Sequence, residues 1–85
     1  VGDIMFLISE PIDDSPASHG NGGTIGFSAD SPETADAWHE AGVNNGGITC
    51  EDPPGVREGE GMKFYLAYLR DPSGNKLCAL HNMQN

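Results

Sequence analysis

A small α+β domain, one helix set against a sheet of several strands, is the fold that this sequence predicts. Three observations lead there. Gly is 12 of 85 residues, about twice the usual share, which suits a turn-rich α+β or all-β domain rather than a helical bundle. One segment, residues 31–41, carries both the start signal and the apolar stripe of a helix. Two runs rich in aromatic and aliphatic residues, 62–69 and 76–81, flank the turn DPSGN, which forces them to pair antiparallel.

The chain opens on Val1 rather than Met, as expected of a trimmed, processed or incompletely represented N-terminus. Residues 4–8, IMFLI, read as a strand buried on both faces, or the end of one. Residues 9–23, SEPIDDSPASHGNGG, lack periodicity and read as an exposed, mobile linker. TIGFSA at 24–29 alternates. Ile25, Phe27 and Ala29 lie on one face of the expected strand and Thr24, Gly26 and Ser28 on the other.

In the helix, the Ser31 hydroxyl can accept from the free N–H of Glu33 or Thr34. Pro32 falls at the first helical position, where its missing N–H costs nothing. Ala35, Trp38 and Ala41, with Thr34 and Ala37 beside them, form the expected buried stripe; Asp36, His39 and Glu40 face water. Gly42 is read as the stop, since a left-handed residue after a helix is cheapest as Gly. GGITC at 46–50 is a short strand. EDPPGVREGEG at 51–61 is read as a loop that two prolines keep out of helix. MKFYLAYL at 62–69 and KLCALH at 76–81 are strands. In the turn between them Pro72 presets φ, Gly74 takes the left-handed position, and Asp71 bonds back to nearby N–H groups.

A net charge of −9, with Arg57, Lys63, Arg70 and Lys76 as the only Lys and Arg residues, argues against nucleic acid and against an anionic membrane surface, both of which need a basic face. The longest apolar run is far shorter than the ~20 residues of a membrane span. Cys50 and Cys78 are the only cysteines. Without a secretion signal they imply free thiols in a reducing, cytoplasmic setting. A domain of this length buries only about 60–65% of its unfolded surface, so a partner chain or a longer context is expected.

GGTIGFSADSPETADAWHEAGVNNGG, then a Pro-rich loop and FYLAYLRDPSGNKLCAL, resembles the second βαβββ module of the vicinal oxygen chelate superfamily, which holds glyoxalases, bleomycin-resistance proteins, fosfomycin-resistance enzymes and extradiol dioxygenases. The resemblance covers residues 20–82. It implies a mixed curled sheet with one clear helix, two such modules closing a cup, and a ligand or active site inside the cup. On this reading residues 1–8 end a preceding module, 9–23 link, and 24–85 form the βαβββ module. The partner is then either a second copy, in a homodimer, or a missing first module.

The resemblance also implies a test of the site. Metal-dependent members place a His or Glu on the first strand of a module and a Glu on its last strand. Here those positions hold Thr24 and Cys78. Thr is a poor divalent ligand, so a divalent metal is expected only with ligands from outside this module. No nucleophile or phosphate-binding Gly loop stands out; GNGG at 20–23 precedes a strand, not a helix. His81 is three residues from Cys78 on one strand, so the two point to opposite faces. The acidic loop with Glu51, Asp52, Glu58 and Glu60 lacks the spacing of a calcium site.

What remains is a mildly apolar cup face, suited equally to a small organic molecule and to simple sheet–sheet packing. Thr24, Ser28 and Cys78 are assigned to it, with Tyr65 and Tyr68 as candidates because the sequence leaves open which face of 62–69 lines the cup. The implied function is a lyase or dioxygenase-type enzyme acting on a small organic molecule. The alternative is a metal-free binding or sequestering protein of bleomycin-resistance type.

Overall fold

Strands β4 (Met62–Arg70) and β5 (Lys76–Asn82) form the central hairpin of a computed structural model that describes residues 5–84. Their register runs from Arg70 opposite Lys76 to Phe64 opposite Asn82. The turn closes as its residues demand. Gly74 takes φ +92, its N–H donates to Asp71 O at 2.8 Å, and the Asp71 carboxylate accepts from both the backbone and the side chain of Asn75.

Strand β1 (Ile25–Ser28) runs parallel to β5, with Gly26 opposite Cys78 and Ser28 opposite Leu80. On the far side of β4 lie two short strands, β2 (Ile48–Thr49) and β3 (Gly55–Gly59), both antiparallel to β4. The path β1-β5-β4-β2, with β3 also on β4, makes a mixed five-stranded open sheet with one helix, an α+β fold.

Strand β3 corrects the reading of 51–61 as loop. Pro53 and Pro54 interrupt the ladder only locally, and the chain then returns to the same edge of β4. Glu60 (φ +43) and Gly61 (φ +79) make the tight turn into β4, the two-left-handed-residue connection that suits a hairpin. VREGEG has little strand propensity of its own; pairing with β4 supplies what the side chains do not.

Helix α1 (Pro32–Asn44) begins as its residues predict, with Ser31 Oγ accepting from Thr34 N at 3.1 Å and Pro32 in the first turn. It runs through Gly42 rather than stopping there. A Cβ at Gly42 would collide with the side chain of Leu69, which is buried in the sheet below. That glycine therefore serves close helix–sheet approach. The stop falls at Asn45, followed by Gly46 at φ +101.

Four alanines, Ala29, Ala35, Ala67 and Ala79, make the core between α1 and the sheet, with Trp38 and Tyr65 packed against them. Small side chains let the helix lie close. Of the expected helix stripe Ala35 is fully buried and Trp38 half-buried, whereas Ala41 is exposed. His39 is half-buried, its Nε2 3.1 Å from Thr49 Oγ1.

The apolar run at 4–8 differs from its expectation of a buried strand. Ile4 lies outside the described residues. Met5, Leu7 and Ile8 are largely exposed and pair with no strand, while Phe6 sets its edge on Phe27 at 5.4 Å.

Candidate functional site

Strand pairing sorts the sheet's side chains onto two faces, because residues opposite each other in register project the same way. Toward α1 point Ile25, Phe27, Ala67, Leu69, Ala79 and their partners. The other face is built of cross-strand rows. Gly26, Cys78 and Tyr68 form one; Ser28, Leu80, Leu66 and Gly55 form the next; Asn82, Phe64 and Arg57 a third. This helix-free face is the candidate site. Ile25 and Phe27 do lie on Trp38's side of the sheet, Phe27 at 6.3 Å from the indole, which places Gly26 and Ser28 as the sequence expects.

Of the five expected binding residues, the structure brings Ser28, Tyr68 and Cys78 together on this face. Tyr65 goes to the opposite face, where its hydroxyl donates to Asp36 Oδ1 of α1 at 2.6 Å. The open question of β4 is thus decided for Phe64, Leu66 and Tyr68. Thr24 is exposed, one residue before β1. Continuing the parallel register sets Thr24 level with Lys76, a full two-residue step from Cys78.

Sequence reasoning missed the polar frame of this face. Lys76 Nζ lies 5.0 Å from the centroid of the Tyr68 ring and forms an ion pair with Glu51. Arg57 Nη2 donates to the carbonyls of Asp52 and Pro53, each at 3.0 Å, bracing the loop between β2 and β3. Lys76 could have been found, since it is two residues from Cys78 on one strand and so shares its face. Glu51 could not, because the path of its loop is set only in the folded chain.

Electrostatics follow the burial. Burial pushes the Cys78 thiol up, with Glu51 adding to the rise and Lys76 opposing it. Burial likewise raises Tyr68, helped by Cys78 and Glu51 and opposed by Lys76 and Arg57. The Glu51 carboxylate raises Lys76. The face therefore carries a neutral thiol, a neutral phenol and a cation.

That set does not fit a divalent metal at Thr24 and Cys78. Cys78 offers a single thiol on this face, Thr24 lies a two-residue step away from it in register, and a metal would have to displace a thiol proton whose pKa burial raises. His81 cannot help, since its Nδ1 lies 3.0 Å from Ala29 O on the helix side. A carbonyl only accepts, so Nδ1 carries the proton. Among the described residues no three His, Cys, Asp or Glu side chains gather in a metal-binding group. No helix of the described residues is long and apolar enough to cross a membrane.

Comparison with known proteins places this geometry. The family model described as Glyoxalase/Bleomycin resistance protein/Dioxygenase superfamily matches residues 2–79. Among solved structures, the crystal structure of a glyoxalase/bleomycin resistance protein from Albidiferax ferrireducens T118 is similar with a TM-score of 0.81 and 65% identity. That match covers 85% of this chain and 58% of the other, so the chain spans a little over half the length of the structure it resembles. No curated protein matches it.

Proposed function

From a chain that belongs to the glyoxalase/bleomycin resistance protein/dioxygenase superfamily, we infer a module that binds a small organic molecule on the sheet face turned away from α1, with no metal ligand of its own. The observation that carries this reading is the row Gly26–Cys78–Tyr68. It sets the Cys78 thiol between an aromatic ring and a residue with no side chain. A Cβ on Gly26 would already stand 3.3 Å from Cys78 Sγ. Cys78 Sγ thus takes the space beside Gly26, and Tyr68, Leu66 and Phe64 extend the face into an apolar surface with few polar groups, the mix that organic ligands favour.

The face is open on this chain alone. A second module covers it in this reading, either a second copy or the preceding module that residues 1–8 would end. Any lyase or dioxygenase-type activity draws its metal ligands from that second module, because Thr24 and Cys78 do not supply them.

The test is a small-molecule screen by amide NMR on the purified protein, with metal content measured on the same sample. Binders should shift Gly26, Tyr68 and Cys78, and Tyr68→Ala should abolish the response. Shifts confined to α1 and the helix side of the sheet would overturn the assignment of the face.

A further inference from the structure

Two of the chain's four Lys and Arg residues, Arg70 and Lys76, face a single cavity of about 250 Å³. It lies where the segment Gly20–Gly23 crosses the β4–β5 turn, and His19 and Thr24 complete the wall. Among the described residues its lining holds no carboxylate, although acidic residues outnumber basic ones by 13 to 4 in the chain. We propose that this cavity is an oxyanion subsite. It takes the carboxylate or phosphate of a small organic ligand whose apolar part lies against Tyr68.

The wall is built rather than incidental. Gly20 N donates to Asn75 Oδ1 at 2.9 Å, which ties the linker to the turn. His19 packs on Gly74, where an added Cβ would meet it at 3.2 Å. Beyond Gly20, the N–H groups of Asn21, Gly22 and Gly23 serve no hydrogen bond among the described residues. Gly22 sits at φ +86. Successive free N–H groups beside a left-handed residue form the kind of concavity that holds anions. Arg70 spends one donor on Gly74 O at 2.8 Å, which fixes the guanidinium and leaves the rest of its fork for a ligand.

Lys76 joins this cavity to the sheet face already described. Its ammonium lies over the Tyr68 ring, 5.0 Å from the centroid, and pairs with Glu51. An incoming anion competes with Glu51 for that ammonium. The subsite rests on the reading of the sheet face only for the apolar part of the ligand; the anion itself is bound by Arg70, Lys76 and backbone N–H groups.

The experiment titrates the protein with inorganic phosphate and, separately, with acetate, at constant ionic strength held by chloride, following backbone amides by NMR. Saturable shifts at residues 20–24 with phosphate or acetate are expected, and whichever binds more tightly identifies the ligand group. Arg70→Gln and Lys76→Gln should each weaken binding by about tenfold or more, as expected for loss of a charge-assisted hydrogen bond. Glu51→Gln should strengthen it. Shifts that rise linearly without saturation, or that ignore both cation variants, overturn the proposal. Saturable phosphate binding without any organic ligand shifting Gly26 or Tyr68 would keep the subsite and remove the sheet-face reading, so the two failures are separable.

Discussion

The Tyr65 hydroxyl donates a 2.6 Å hydrogen bond to Asp36, tying β4 to α1 across the helix side of the sheet. That bond raises the Tyr65 pKa, with burial and the Asp36 charge adding to it. The phenol must keep its proton to donate. Its contribution is therefore complete below the ordinary tyrosine value of about 10 and is lost as pH rises through the higher folded value. Tyr65→Phe should lower stability at pH 7 by about 0.5–1 kcal/mol, the worth of one exposed hydrogen bond. In urea titrations the gap between the two proteins should close at alkaline pH. A gap independent of pH would mean the ring, not the hydroxyl, makes the connection.

Gly47 and Gly59 should respond in opposite ways to the same added methyl. A Cβ on Gly47 would stand 2.8 Å from Gly42 O and 3.2 Å from Arg70 O. Both are backbone atoms, and Gly47 N already donates to Gly42 O at 2.8 Å. Nothing there can yield without moving α1 off the sheet. Gly47→Ala should cost about 1–3 kcal/mol, as overpacking does. Gly59 has open space around it, so Gly59→Ala should fall within about 0.5 kcal/mol of wild type. Thermal unfolding of the two variants side by side checks the contrast.

The contrast between Gly42 and Gly74 explains how much of the fold can be read from sequence. Gly74 acts through its own backbone angle inside DPSGN, so a local motif announces it. Gly42 acts through Leu69, a residue remote in sequence, and no local signal separates that role from a helix stop. The same division runs through the rest. The Ser31 cap, the hairpin and the alternation in β1 are local and were legible. Strand β3 depends on the edge of β4, and the Glu51–Lys76 pair on a loop path, so neither was. For the site, alternation grouped Ser28 with Cys78 but could not choose between Tyr65 and Tyr68, because β4 is apolar on both faces.

The β4–β5 turn should weaken in acid through Asp71. Burial alone would raise that carboxyl, but hydrogen bonds from Asn75 and from the Ser73 and Gly74 N–H groups outweigh it and hold the pKa below the usual value. A depressed folded pKa contributes stability above the unfolded value of about 3.9, and the contribution is lost as pH falls through the folded one. Asp71→Ala should cost about 1 kcal/mol at pH 7 and progressively less below pH ~4. Because Asn75 also holds Gly20, the variant should broaden the amide signals of residues 20–24. An unchanged linker would show that the turn does not brace the segment.

Cys50 and Cys78 should separate cleanly under alkylation. Cys78 is 6% exposed and its thiol is raised by burial, while Cys50 is only half-buried. Alkylation needs both access and thiolate. Iodoacetamide at pH 8 should therefore label Cys50 in the native protein and spare Cys78 until denaturant is added, as read by peptide mass. Tyr68 stands opposite Cys78 in the register, so Tyr68→Ala should open the face and speed Cys78 labelling. An organic ligand on that face should slow it again. Zinc, which finds no group of three His, Cys, Asp or Glu ligands among the described residues, should not protect Cys78 at neutral pH. Protection by zinc would place Cys78 in a metal site after all and reverse the metal-free reading of this face.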